Sequence, residues 1–228
     1  MPGSIQGPEC RIVLLGETRS GKSVIGNTIL GSDVFESRTD FHSVTKTCQK
    51  GEMWLNGTKI VVVDTSGFFH TWFPLESNPV TKSVSFCSPG PHVILWVVGP
   101  FCFSHKEKDV AQLIKEMFSL KGKNYMIILF VRCFHLEGKT LERFIAKGGP
   151  FLSDQVSQCG NRVLAFNNRA KGEEREAQVA QLMTMIDDLV EKNRDAPCYT
   201  EGMIKAVIEN YKEKYASSLL LYTLHFTL

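Results

Sequence analysis

Uninterrupted apolar runs recur along the chain: Ile12-Val13-Leu14-Leu15, Ile60-Val61-Val62-Val63, Val93 to Val98, and Tyr125 to Val131. Runs this short, with no polar alternation, predict strands buried on both faces of a parallel sheet. Arg162–Phe166 reads as a last strand. Between the runs the spacing turns helical. Val24, Ile25 and Leu30 follow the first strand, and Gly31 is expected to cap that helix. Ser104 and Glu107 form a capping box ahead of Val110, Leu113, Ile114, Met117 and Phe118, one apolar face. Val179, Leu182, Met183, Ile186, Leu189 and Val190 mark the core side of a long helix over 173–194. Short helices are expected over 80–86 and around Leu141, Phe144 and Ile145, the second stopped by Gly148-Gly149-Pro150. Asn56-Gly57, between Glu52–Leu55 and Lys59–Val63, predicts a hairpin that adds one antiparallel strand. The stretch 32–50 has no period and reads as a mobile loop, either a switch or plain surface; 68–91, apart from its short helix, reads as a second mobile loop or an interaction surface. The whole predicts a mostly parallel, doubly wound α/β sheet.

Between the first strand and first helix lies Gly16-Glu17-Thr18-Arg19-Ser20-Gly21-Lys22-Ser23. It fits G-x-x-x-x-G-K-[ST] in the strand–loop–helix setting that a phosphate-binding loop requires. Glycines let the backbone approach phosphate oxygens, and successive N–H groups and the helix dipole attract the anion. Lys22 would reach the β- and γ-phosphates, and the Ser23 hydroxyl would ligate Mg²⁺. Asp64-Thr65-Ser66-Gly67 ends a buried run. An aspartate there holds Mg²⁺ through water, and a glycine N–H can meet the terminal phosphate because no side chain blocks it.

Size and composition fit one domain with a tail: 228 residues, 43% hydrophobic. A net charge of +2 from 26 basic and 24 acidic residues makes no case for a nucleic-acid surface. Seven cysteines without a C-x-x-C pair read as reduced thiols of a cytoplasmic protein. Residues 1–9 read as a disordered lead without signal-peptide character. After Pro197 come a further amphipathic helix, through Met203, Ile204, Val207, Ile208, Tyr211 and Tyr215, and an apolar end, Leu219 to Leu228. That end is shorter than the ~20 residues a spanning helix needs. It packs on the domain, is disordered, or makes a weak contact with a membrane or partner.

The same loop continued by Gly26-Asn27-Thr28-Ile29-Leu30-Gly31, together with Ser43-Val44-Thr45-Lys46-Thr47-Cys48, Ser88-Pro89-Gly90-Pro91-His92 and Phe166-Asn167-Asn168-Arg169-Ala170, closely resembles the immunity-associated GTPases of the AIG1 (GIMAP/IAN) family. The resemblance covers about 11–211. It implies a P-loop GTPase-like three-layer sandwich over 10–196, with a helical C-terminal extension over 197–228. It implies GTP or GDP with Mg²⁺ as ligands, held by Gly16 to Val24, Ser37, Asp64 and Gly67. Thr45 or Thr47 is implied as the magnesium-sensing threonine, and Asn168 as a purine contact. It further implies a homodimer or family hetero-oligomer across the nucleotide face, other protein partners, and a cytoplasmic location, peripheral to an intracellular membrane if the tail anchors.

The chain departs from the family at Arg132-Cys133-Phe134-His135, where the family pattern resembles Arg-Lys-x-Asp. The aspartate accepts two hydrogen bonds from guanine. A neutral His135 offers one acceptor and no charge. Losing that pair would cost about 2–4 kcal/mol, roughly 30- to 1000-fold in affinity. After Gly67 stands Phe68, which cannot orient water; His70 is the one nearby candidate, and no catalytic residue is assigned. Three functions therefore stay open. The first is a GTP-binding regulatory protein with slow or partner-dependent hydrolysis. The others are a nucleotide-independent interaction module with a lost guanine pocket, and an ATP-using P-loop protein.

Overall fold

A computed structural model describes residues 8–37, 48–65, 86–99, 121–131, 140–207 and 209–210. The expected helices over 80–86 and 104–118 and the apolar end lie outside the described residues, apart from Phe86. So do Thr45, Thr47, Gly67, His70 and His135.

The elements in order are β1 (Glu9–Leu15), α1 (Lys22–Leu30), β2 (Gln49–Leu55), β3 (Thr58–Asp64), β4 (Val93–Val98), β5 (Met126–Val131), α2 (Leu141–Lys147), α3 (Gly149–Gln158), β6 (Val163–Phe166) and α4 (Gly172–Lys192). Six strands form one sheet in the order β2-β3-β1-β4-β5-β6. All neighbours are parallel except β2 and β3. Asn56 (φ 49°) and Gly57 (φ 81°) make the tight turn of that hairpin, both in the left-handed region that a two-residue connection of twisted strands favours.

The apolar runs are continuous because both faces of the sheet are covered. Along β1, Val13 and Leu15 join one cluster with Ile94, Trp96, Ile128, Phe130, and Leu152 and Val156 of α3. Ile12 and Leu14 join the other, with Ile25 and Ile29 of α1 and Leu182, Ile186 and Leu189 of α4. The result is the expected three-layer α/β/α sandwich. Of the core positions expected on α4, Met183 and Val190 are only partly buried, and Val179 stays outside both clusters.

Gly148-Gly149-Pro150 does not end the helical region. α2 stops at Lys147, and α3 starts at Gly149 with its proline in the first turn. The missing proline N–H has no helical partner to lose there, so the ring starts a helix as readily as it breaks one. Beyond α4 the chain returns to the sheet. Tyr199 N–H donates to Pro91 O at 2.8 Å, and the Tyr125 hydroxyl donates to Ala196 O at 2.7 Å. Tyr199 is fully buried and Ile204 nearly so. A Cβ on Gly90 would lie 2.1 Å from Tyr199 O, so only glycine lets this segment lie so close.

Candidate functional site

Strand register gathers the site. Leu14 of β1 pairs with Asp64 of β3, and Leu15 pairs with Trp96 of β4. Val98 pairs with Phe130, and Val131 with Phe166. The carboxyl ends of β1, β3, β4, β5 and β6 therefore finish side by side. Among the described residues, the loop after β1 lies against Gly99 after β4 and Asn168 after β6, at the end of the sheet where open parallel sheets hold ligands.

The loop 16–21 bends sharply out of β1. Its Ser20 N–H donates to Glu17 O at 3.1 Å. A Cβ at Gly16 would sit 2.3 Å from Val97 O, so the first glycine allows the loop to lean on β4. Gly21, with φ 100°, delivers the chain into α1 with no side-chain cap. A glycine there brings no side-chain acceptor to the amino end of α1, the end of a helix that attracts anions.

Lys22 lies under this loop, 6% exposed. Its Nζ donates to Gly16 O at 3.1 Å and to Glu17 O at 2.8 Å. Burial lowers its pKa from the usual lysine value to about 8, against the upward pull of Asp64 and Glu17. Ser23, on the next position of the helix, donates its hydroxyl to Asp64 Oδ2 at 2.6 Å. Asp64 is fully buried. Thr65 anchors the same strand end, donating Oγ1 to Leu14 O at 2.7 Å.

Among the described residues, Thr18 Oγ1, Ser20 Oγ and both amide atoms of Asn168 are buried without a hydrogen-bond partner. Orphaned polar atoms are costly inside a protein and concentrate where a ligand belongs. Asn168 belongs with the others in space: a Cβ on Gly21 would be 3.2 Å from its Nδ2. Its loop is held from below. Asn167 N–H donates to Gln178 Oε1 at 2.6 Å and Asn167 Nδ2 to Glu174 Oε1 at 3.0 Å, while Arg169 N–H donates to Asn167 Oδ1 at 3.0 Å.

These groups fit a nucleotide polyphosphate with Mg²⁺. A lysine ammonium, helix N–H groups and hydroxyls suit phosphate, whereas one hydroxyl and one carboxylate suit a magnesium ion that takes its other ligands from phosphate and water. No cluster of three or more His, Cys, Asp or Glu residues able to hold a metal occurs among the described residues. The structure thus brings together Gly16 to Ser23, Asp64 and Asn168. Val24 is half-buried in α1, its carbonyl accepting from Thr28 Oγ1 at 2.9 Å. Ser37 is exposed, at the end of a segment held by Asn27. Asn27 Oδ1 accepts from Val34 and Phe35 N–H at 3.0 and 2.8 Å, and its Nδ2 donates to Phe35 O at 2.8 Å. That positioning role was not read from the sequence; the signal was an amide on the buried side of a short apolar helix.

Cys10, Cys87, Cys159 and Cys198 are free thiols. Burial raises Cys10 and Cys87 to about 12 and Cys159 to about 11, which suppresses the nucleophilic thiolate. No helix among the described residues is long and apolar enough to cross a membrane.

A sequence profile of the AIG1 family matches residues 10–218. Human GTPase IMAP family member 8 is 34% identical over 193 residues, covering 83% of this chain and 29% of that protein. Immune-associated nucleotide-binding protein 9 of Arabidopsis thaliana is 33% identical over 201 residues, covering 85% of this chain and 59% of that protein. The chain thus spans 29% and 59% of the length of these two relatives. Among solved structures, Toc33 from Arabidopsis thaliana in complex with GDP and Mg²⁺ superposes with a TM-score of 0.61 at 16% identity, covering 79% of this chain and 84% of that one. Era bound to MgGDPNP and ribosomal RNA gives 0.57 at 15% identity, covering 79% and 57%. Both show the P-loop GTPase fold.

Proposed function

The chain belongs to the AIG1 family, and from that premise we propose that it is a guanine-nucleotide-binding regulatory protein. GTP or GDP would be held by the 16–23 loop, with Mg²⁺ between Ser23 and Asp64. The observation that carries this reading is the Ser23–Asp64 hydrogen bond at 2.6 Å, beside a buried Lys22. That geometry leaves one hydroxyl and one carboxylate facing each other at the mouth of an anion cradle. Magnesium held there would supply charge neutralisation at the phosphates. Lys22 would exchange two carbonyl acceptors for phosphate oxygens, and Asn168 would face the purine.

Loaded protein would present the nucleotide face to a second copy or to another protein, from the cytoplasm. For the neighbours Toc33 and Toc159, dimerisation matters for GTPase activity; in this chain it is part of the proposal. Hydrolysis would be slow without a partner, since Phe68 follows Gly67. Calorimetry with GTP, GDP and ATP plus Mg²⁺ tests the reading. Micromolar binding of guanine nucleotides is expected; no binding by any of the three at high micromolar concentration overturns it.

Cys133 and His135 favour a second reading, an interaction module that no longer selects guanine. Lys22→Ala separates the two. A nucleotide-dependent protein loses partner binding with that change, whereas a module keeps it and purifies without nucleotide.

A further inference from the structure

Three residues of the phosphate loop have positive φ: Gly16 at 153°, Arg19 at 71° and Gly21 at 100°. The glycines have local reasons, since a Cβ at Gly16 would meet Val97 O and one at Gly21 would press on Asn168. Arg19 has no such licence. It carries a Cβ in the left-handed region, where an L-residue is strained and glycine is not. The other described non-glycine residues with positive φ are Asn56 and Asn161, a residue type that tolerates this region. Arg19 is also the exposed position of the loop. On either side of it, Thr18 and Ser20 have buried, unpartnered hydroxyls. A long, permanently charged side chain is therefore carried, against backbone preference, on the exposed position of a loop whose two flanking hydroxyls are buried.

We propose that Arg19 is a catalytic residue acting in cis, its guanidinium stabilising charge on the terminal phosphate of a nucleoside triphosphate held by its own loop. This rests on the nucleotide-binding reading above. In the hydrolysis concerned, a water oxygen bonds to the terminal phosphorus and the bond from that phosphorus to the bridging oxygen breaks. The bridging oxygen leaves with the electron pair as the diphosphate, and the water proton passes to the released phosphate. Negative charge gathers on the bridging and terminal oxygens, where an arginine is most effective in the transition state. The need is sharp here, because Phe68 cannot supply the water-orienting amide.

The test uses full-length protein and three variants: Arg19→Gly, Arg19→Ala and Arg19→Lys. Affinity for a fluorescent GDP with Mg²⁺ is measured first. Capture of that GDP by aluminium fluoride, a mimic of the transferring phosphoryl group, is measured next. Single-turnover GTP hydrolysis and the melting temperature complete the set. Because the loop would hold GDP through its backbone N–H groups and Lys22 and not through the Arg19 side chain, all variants are expected to bind GDP within about twofold of wild type, and Arg19→Gly to melt no lower. Each is expected to lose fluoride capture and to hydrolyse at least ~10-fold more slowly, lysine included, at a rate independent of protein concentration, since arginine fingers contribute roughly 10³-fold or more. Retained capture and rate in Arg19→Gly overturn the proposal, as does a wild type that binds GDP but neither captures fluoride nor hydrolyses GTP. A parallel loss of GDP affinity assigns Arg19 a binding role instead, and rescue of Arg19→Gly by a second, arginine-bearing copy overturns action in cis. Failure of wild type to bind GDP at all defeats the nucleotide reading and this inference with it.

Discussion

At the amino ends of the strands, several charged side chains are held by protein partners. Arg11 donates Nε to Gly90 O at 2.7 Å and NH1 to Glu9 at 2.9 Å, and its backbone N–H donates to His92 Nδ1 at 2.9 Å. Arg162 bonds the carbonyls of Met126 and Lys123 at 2.9 and 2.8 Å. Lys123, buried, donates to Gln155 and Gln158. At the carboxyl ends some groups are matched less well: a lysine is buried against its charge preference, an arginine is strained, and Thr18, Ser20 and Asn168 have unmatched polar atoms. One sheet thus has an end that stabilises the fold and an end held ready at the fold's expense. Stability and binding should respond to different residues.

The largest effect is expected at the first end. Tyr199 is fully buried and packs on Tyr125 with ring centroids 5.6 Å apart. Tyr199→Ala should lower unfolding free energy by about 3–5 kcal/mol, read by urea denaturation, while any folded fraction keeps its nucleotide affinity. A stability change below 1 kcal/mol would erase the contrast. Next comes Lys22→Met at the other end. It should weaken GTP by about 100-fold, the scale of one or two charge-assisted hydrogen bonds. The melting temperature of the nucleotide-free protein should hold or rise, because a desolvated charge has been removed. A drop of several degrees would show that Lys22 supports the fold.

pH separates the ends further. Burial, and then Arg11, push His92 down to about 4, against a smaller opposing pull from Glu9. The unfolded chain takes up that proton below about 6.5, so stability should fall as pH drops from 6.5 towards 4. The expected size is on the order of 1–2 kcal/mol after allowance for solvent screening. His92→Asn should flatten this part of the profile. Lys22 acts in another window: its folded pKa of about 8 lies below the unfolded value of 10.5. The unfolded chain holds more protons between the two, so nucleotide-free protein should gain stability as pH rises from 8 to 10.5, and Lys22→Met should not. The smallest effect is at Tyr125→Phe, which removes the hydrogen bond to Ala196 O and should cost about 1 kcal/mol of stability with no change in GTP affinity. A shift in affinity there would mean that the two ends are coupled.

Much of this was legible in the chain itself. Unbroken apolar runs announced strands covered on both faces, Asn56-Gly57 announced the hairpin, and the spacing of Gly16, Gly21, Lys22 and Ser23 announced a tight loop running into a helix, because each pattern reflects local geometry that few alternatives satisfy. α3 was not legible, since Gly-Gly-Pro punctuates a chain identically whether a helix stops or the next one starts. Nor was the seating of Tyr199 on Gly90, or the service of Asn27 to the segment after α1: those depend on partners distant in sequence or on which side of a short helix faces inward. The chain alone determined which residues could grip phosphate. Only the tertiary structure decided that Asp64 meets Ser23 and that Asn168 reaches the loop, because register between β1 and β3, and the alignment of β5 with β6, are long-range choices made by packing on two faces at once.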